Sequence, residues 1–323
     1  MMNRAHCDAT NPVVFIVGCP RSGTTLLRRM VSAHPQIVIT PEAHWIPLWF
    51  EKRRGLTDQG LVTPDLIPAL LTHPKFALFR LGREGLMTLA ADGRPRSYAS
   101  FVTGIFDLYG QARGKKLVGN KTPDSARRMD TLHTLWPKAR FVHLIRDGRD
   151  VALSLMNWPK VRNKKPGTFP TWRDDPVSTS ALWWELNVRR GREAGKLLGP
   201  ELYREMSYES LVADPVQECA ALCDFLGLAY DDAMLHYHDA FGEDGAEGVG
   251  HDRQPITSGL RDWRAHMPAE DVERFEAAAG VLLDELRYPR AFARPRRAVV
   301  DHSTKLRNLL AKLPPGVRPY EPA

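Results

Sequence analysis

The clearest chemical signal is the run Gly18-Cys19-Pro20-Arg21-Ser22-Gly23-Thr24-Thr25, with Gly-x4-Gly spacing between an apolar run and a helical pattern. Backbone N–H groups of such a turn converge on one anion, and the aligned peptide dipoles of the following helix favour negative charge there. A phosphate belongs in it. Thr24 occupies the position where nucleotide triphosphatases carry lysine, so the point charge aimed at β- and γ-phosphates is gone, and Arg21 is the replacement cation. Thr25 stands where a magnesium-binding hydroxyl would, but no apolar strand ends in a carboxylate to complete a metal site. A P-loop nucleotide kinase is therefore an alternative reading that lacks its lysine and its magnesium carboxylate. A non-catalytic nucleotide-binding module is another, separated from an enzyme by a turnover assay.

These residues need a scaffold. Val13-Val14-Phe15-Ile16-Val17 is the pattern of a buried strand, and from Thr24 to Ala33 the residues Leu26, Leu27, Met30 and Val31 recur at helical spacing. Ile37-Val38-Ile39 predicts a second strand, whose exit loop carries Glu42, His44 and Trp45. Residues 51–114 mix Gly, Pro and helical patterns, as expected of a helical insertion shaping a cleft. Leu117-Val118 leads into Gly119-Asn120-Lys121-Thr122-Pro123, and Arg140–Ile145 is a further strand before Arg146-Asp147-Gly148-Arg149, with a helix beginning near Asp150. Residues 157–176 read as a loop, 178–198 as a long amphipathic helix and 202–206 as a last strand. Helices follow over 216–226, 231–238 and 269–286, with a Gly- and acid-rich loop at 241–252. Alternating strands and helices predict an α/β fold, a P-loop-type parallel sheet flanked by helices on both faces, with helical insertions. Such sheets bind ligands at the carboxyl ends of their strands.

Pro20-Arg21-Ser22-Gly23-Thr24-Thr25 resembles the 5′-phosphosulfate loop of sulfotransferases that use 3′-phosphoadenosine 5′-phosphosulfate (PAPS). Arg146 at a strand end with Ser154 on the next helix resembles that family's 3′-phosphate site. Lys121-Thr122-Pro123, Tyr208-Glu209 and Asp224-Phe225-Leu226-Gly227-Leu228 extend the resemblance over roughly residues 12 to 290. Within the superfamily the chain is most similar in look to the tyrosylprotein sulfotransferase branch and its bacterial relatives, although it shows Pro41 where that branch has a second acid.

The resemblance implies transfer of a sulfuryl group to a hydroxyl, leaving 3′,5′-adenosine bisphosphate, without a catalytic metal. Glu42 is then the general base, with His44 the runner-up. Arg21 and Lys121 are the cations on the sulfuryl and bridging oxygens. Ser22, Gly23, Thr24 and Thr25 hold the 5′-phosphate, Arg146 and Ser154 the 3′-phosphate. Tyr208 packs near the adenine, and Arg253 and Arg261 close over the donor. The acceptor class is open among peptide tyrosine, saccharide, lipid and small molecule.

Composition agrees. The chain has 323 residues, 43% hydrophobic and 26% charged, which suits a folded globular protein and excludes collagen-like or wholly disordered classes. Four cysteines, Cys7, Cys19, Cys219 and Cys223, read as free thiols, and their spacing predicts no metal site. No apolar run is long enough for a membrane span, and no secretory h-region opens the chain, so a cytoplasmic enzyme is expected. The formal charge of +7 resides in the tail from Arg287, which holds nine basic and two acidic residues. The body carries no basic stripe for nucleic acid. Three segments are expected: a flexible 1–11, a catalytic domain over 12–290, and a basic tail over 291–323. In the tail, Leu306, Leu309, Leu310 and Leu313 form a helical stripe, which would dock on the catalytic domain or across a homodimer.

Overall fold

The computed structural model describes residues 13–91, 95–158, 171–240 and 262–312. The chain divides into two compact units, one comprising residues 13–18, 23–144 and 191–240 of those described, the other 19–22, 145–190 and the C-terminal segment.

The first unit is built on a five-stranded sheet of β1 (Val14–Gly18), β2 (Ile37–Thr40), β3 (Leu117–Lys121), β4 (Arg140–Ile145) and β5 (Tyr203–Ser207), in spatial order β2-β3-β1-β4-β5. β1 pairs in parallel with β3 and β4, and β2 in parallel with β3. Side chains alternate across a strand, so a sheet covered on both faces needs a continuous apolar run. β1 shows this directly: Val13, Phe15 and Val17 enter one core cluster, with Phe101, Phe106 and Phe141, while Val14 and Ile16 enter another, with Leu27, Met30 and Leu144. The helices are α1 (Thr24–Ala33), α2 (Trp45–Glu51), α3 (Leu66–Leu71), α4 (Pro74–Ala77), α5 (Arg83–Ala91), α6 (Tyr98–Gln111) and α7 (Met129–Leu135) before β4. The expected α/β architecture with helical insertions is what the chain adopts.

After β4 come α8 (Gly148–Met156) and α9 (Pro176–Leu198), whose residues up to Arg190 belong to the second unit. β5 is followed by α10 (Tyr208–Ala213), α11 (Pro215–Leu226) and α12 (Tyr237–Ala240), and the second unit ends with α13 (Trp263–His266), α14 (Ala269–Glu285) and α15 (Arg297–Ala311). Its core joins Trp183 and Trp184 of α9 to Phe275, Leu282 and Leu283 of α14. At its centre Arg149, fully buried, donates to Asp147 and, at 2.6 Å, to Glu276, with its guanidinium 3.7 Å from the Trp263 ring centroid.

Boundaries differ locally from expectation. α8 starts at Gly148, two residues before Asp150, because the Asp147 carboxylate caps the N–H of Arg149. The helix expected over 231–238 is instead a 3₁₀ turn at Asp232–Met234, capped by Asp231, and the separate α12. The tail helix forms as α15 within the second unit, with Leu306 buried and Leu310 partly buried against the same core, beside the buried Ser303, while Leu309 is 50% exposed. Arg307 donates to the Ala278 carbonyl and Arg296 to the Glu273 carboxylate, so α15 lies on α14. Cys19, Cys219 and Cys223 are buried thiols. Segments 1–11, 159–170 and 241–252, Arg253, Arg261 and Leu313 onward lie outside the described residues.

Candidate active site

Parallel pairing in the order β2-β3-β1 brings the carboxyl ends of three strands to one edge, which seats the loop after β2 beside Lys121 at the end of β3. Side chains of the β3 end fix that loop. Asn120 Nδ2 donates to Thr40 Oγ1 at 2.9 Å and to the Pro41 carbonyl at 2.8 Å, and Thr122 Oγ1 donates to Asn120 Oδ1 at 2.8 Å. The same Thr122 oxygen accepts the Ala43 N–H at 2.8 Å. Every atom of this brace is buried, and a buried polar network rigidifies only when its members are satisfied, as these are.

Glu42 sits within that braced loop. One carboxylate oxygen accepts from Lys121 Nζ at 2.8 Å, and the other faces Lys75 Nζ and His44 Nε2, each at 3.4 Å. Burial works against ionisation of Glu42, but the Lys121 ammonium and the His44 contact hold its carboxyl well below the usual carboxylate range. Lys121 is 3% exposed, unlike an ordinary strand-end lysine. Lys75, on α4, carries no sequence signal as a site residue: a four-residue helix inside an insertion shows no period that would aim it. Nearby, Asp124 is buried and its carboxyl is raised by that burial despite Arg127.

The phosphate loop is divided. Gly23 to Thr25 lie in the first unit and open α1, with Gly23 in the left-handed region at φ 91° as its N-cap. A Cβ on Gly23 would come within 2.4 Å of the Tyr208 ring, so glycine is required both by its backbone and by that ring. Tyr208 is thus placed against the loop. Thr24 is buried.

Cys19 to Ser22 belong to the second unit. Arg21 is held at φ 76°, uncommon for a residue with a side chain, and its Nε donates to Ser154 Oγ at 3.0 Å. Its guanidinium carbon lies 5.3 Å from the Trp158 ring centroid. Ser22 is fully buried, and its hydroxyl has no hydrogen-bond partner among the described residues. Arg146, 7% exposed, pairs with Asp150 at 3.3 Å one turn along α8. Burial pushes the Asp150 carboxyl up to about 6, with Asp147 adding to the rise and Arg146 opposing it.

Of the residues expected from the sequence, Glu42, His44 and Lys121 meet in one cluster, Arg21 meets Ser154, and Tyr208 meets Gly23. Lys75, Trp158 and Asp150 are additions. The placing of Asp150 four residues after Arg146, where the first turn of α8 follows the strand end, is the only trace of these in the sequence.

A sulfotransferase-family model matches residues 12–232, spanning the phosphate loop, Glu42, Lys121, Arg146, Ser154 and Tyr208. The chain belongs to the sulfotransferase family. This sulfotransferase is 25% identical over 310 residues to protein-tyrosine sulfotransferase 1 of Danio rerio, covering 91% of this chain and 79% of that protein. It is 27% identical over 256 residues to omega-hydroxy-beta-dihydromenaquinone-9 sulfotransferase Stf3 of Mycobacterium tuberculosis, covering 69% of this chain and 65% of the relative. The fold is similar to the sulfotransferase domain from the curacin biosynthetic pathway, with a TM-score of 0.54 at 19% identity over 94% of this chain and 99% of that domain. The protein is accordingly an enzyme of the sulfotransferase class. Among the described residues, no helix is long and apolar enough to cross a membrane, and no group of three or more His, Cys, Asp or Glu is arranged to hold a metal ion.

Proposed function

We propose that this sulfotransferase uses PAPS as donor and moves its sulfuryl group to a hydroxyl acceptor, with Glu42 as general base. The observation that carries the reading is the 2.8 Å pair of Glu42 with the buried Lys121, a base and a cation fixed side by side at the carboxyl edge of the sheet. The residues present suit the donor. The buried Ser22 hydroxyl in the phosphate loop is without a partner among the described residues, as an anion-binding group would be, and the left-handed Gly23 brings the loop backbone close without a side chain in the way.

When bound, PAPS supplies a sulfur to which the acceptor oxygen bonds as the bond from sulfur to the 5′-phosphate oxygen breaks, leaving 3′,5′-adenosine bisphosphate. Glu42 takes the acceptor proton. Once Glu42 is neutral, the Lys121 charge is no longer matched by it and is available to the oxygens gaining charge. Arg21, Ser22, Gly23, Thr24 and Thr25 hold the 5′-phosphosulfate end, and Arg146 and Ser154 hold the 3′-phosphate. His44 braces Glu42 at 3.4 Å and orients it, with Lys75 on the same oxygen.

The names of the two relatives specify a protein tyrosine and an omega-hydroxy compound, which share a hydroxyl as the group modified. Two measurements test the reading. Millimolar 3′,5′-adenosine bisphosphate raises the melting temperature without added magnesium, since a ligand that binds only the folded state stabilises it. A panel of peptide tyrosine, saccharide, lipid and small-molecule acceptors with labelled donor then yields sulfated product from at least one class. Unchanged melting, or a strict metal requirement, overturns the donor assignment.

A further inference from the structure

Arg146, assigned above to the 3′-phosphate, sits against a carboxylate. The side chains of Arg146 and Asp150 are 8% and 14% exposed, so theirs is no solvated surface pair, yet they are 3.3 Å apart. Charge-assisted bonds of this kind close to about 2.7–2.9 Å. The pairs beside them do close: Arg149 meets Asp147 at 2.7 Å and Glu276 at 2.6 Å. The contact of Arg146 with Asp150 is therefore the loose one in a tightly bonded neighbourhood.

Both partners are anchored by other atoms. Asp150 Oδ1 accepts the Trp263 N–H at 2.9 Å, and Trp263 Nε1 donates to Asp147 Oδ2 at 3.1 Å. The Arg146 carbonyl accepts from Trp184 Nε1 at 3.1 Å. A phosphate drawn to this guanidinium thus meets a carboxylate held beside it. The charged groups around Asp150 are Arg146 before α8, Asp147 at the cap of α8 with Arg149 upon it, and Asp262 and Arg264 on either side of Trp263. Burial, with the Asp147 charge adding to it, already raises the Asp150 carboxyl to about 6, against Arg146 and the Trp263 N–H. A second anion on Arg146 raises it further, because it adds a like charge and takes part of the guanidinium's support.

We propose that Asp150 is a positioning residue of the donor site, holding Arg146 in the free enzyme and taking up a proton from solvent when a 3′-phosphate replaces it there. The proposal rests on the reading of PAPS as donor and of Arg146 as its 3′-phosphate contact. Protonation at Oδ2, with Oδ1 still on Trp263, turns an oxygen that competes for Arg146 into an O–H donor for the phosphate.

Calorimetric titration of the full chain with 3′,5′-adenosine bisphosphate, in two buffers of different ionisation enthalpy that contain neither phosphate nor sulfonate, counts the protons exchanged. The free carboxyl is about nine-tenths ionised at pH 7, so the wild type is expected to take up about half a proton per nucleotide there. Its affinity then falls about threefold between pH 7 and pH 8. Asp150→Asn, whose amide oxygen still faces the Trp263 N–H, takes up none and binds at pH 8 at least as tightly as the wild type. Asp150→Ser, with a smaller oxygen, is expected to behave alike. Weaker binding in the variants with an unchanged proton count marks a merely structural role and overturns the proposal. Absence of uptake by the wild type overturns it without recourse to any variant. A wild type that does not bind the bisphosphate sinks the donor assignment itself, and the proton coupling with it.

Discussion

Replacing Glu42 with Gln keeps the side-chain shape and removes the charge that three neighbours share. The carboxylate meets Lys121 at 2.8 Å on one oxygen, and Lys75 and His44 at 3.4 Å on the other. An amide presents one acceptor oxygen and an NH₂ group, so at least one ammonium faces a donor instead of an acceptor. Lys121, 3% exposed, then retains its charge with the carboxylate gone, which costs about 1–3 kcal/mol and lowers the melting temperature by a few degrees. The pH dependence has a definite sign. Glu42 is held below its ordinary value of 4.5, so its stabilisation is complete above about pH 4.5 and fades as pH falls towards the lower folded value. The melting gap between wild type and Glu42→Gln is therefore full at neutral pH and narrows below about pH 4.5. Turnover falls by ~10²-fold or more, the scale of removing a general base, while affinity for 3′,5′-adenosine bisphosphate stays within about threefold. The assay is release of the bisphosphate from PAPS with the best acceptor of the panel, alongside melting curves from acid to neutral pH. Turnover within about threefold of wild type, or a melting gap that widens in acid, refutes the reasoning. Loss of turnover in His44→Ala with Glu42→Gln nearly unaffected places the base on the imidazole instead.

Three further outcomes follow from the second unit. Arg146→Ala weakens 3′,5′-adenosine bisphosphate by roughly 10- to 100-fold in calorimetric titration, with no change on adding magnesium, as expected for loss of a charged phosphate contact. The Asp150 carboxyl is raised from 3.8 to about 6, so wild-type stability declines as pH rises through that interval. Asp150→Asn, which keeps an acceptor for the Trp263 N–H, should melt higher than wild type at neutral pH and lose the advantage near pH 4; a lower melting point at neutral pH argues against this account. Truncation after Ala291 removes Leu306 from its cluster and the Arg296 and Arg307 contacts, and lowers the melting temperature without changing liposome association. Salt-sensitive binding of the intact chain to anionic vesicles, lost on truncation, shows instead that the tail is a membrane element.

Legibility followed the range of the interaction. The phosphate loop is visible because its backbone demands glycines at set spacing, and β1 because a strand buried on both faces shows an unbroken apolar run. Lys121, by contrast, looks like any strand-end lysine until the resemblance in Thr122-Pro123 is added, and Glu42 like any loop carboxylate. Lys75 was illegible: its contact with Glu42 spans 33 positions and depends on how an insertion packs. The leucine stripe of the tail predicts the helix and the packing of Leu306 and Leu310 but not the exposure of Leu309, because spacing alone does not say how wide the covered strip is. Leu306 is buried and Leu309 is not.

The brace from Asn120 and Thr122 to residues 40–43 has a consequence for how such an enzyme changes its preferences. The loop that carries Glu42 is tied to the sheet by these bonds, which an insertion rewritten for a new acceptor would leave in place. The insertion still reaches that loop through Lys75, which meets Glu42, the proposed base. A change at α4 would therefore alter both which molecule enters and how strongly Glu42 attracts its proton, coupling the choice of acceptor to the rate at which it is modified.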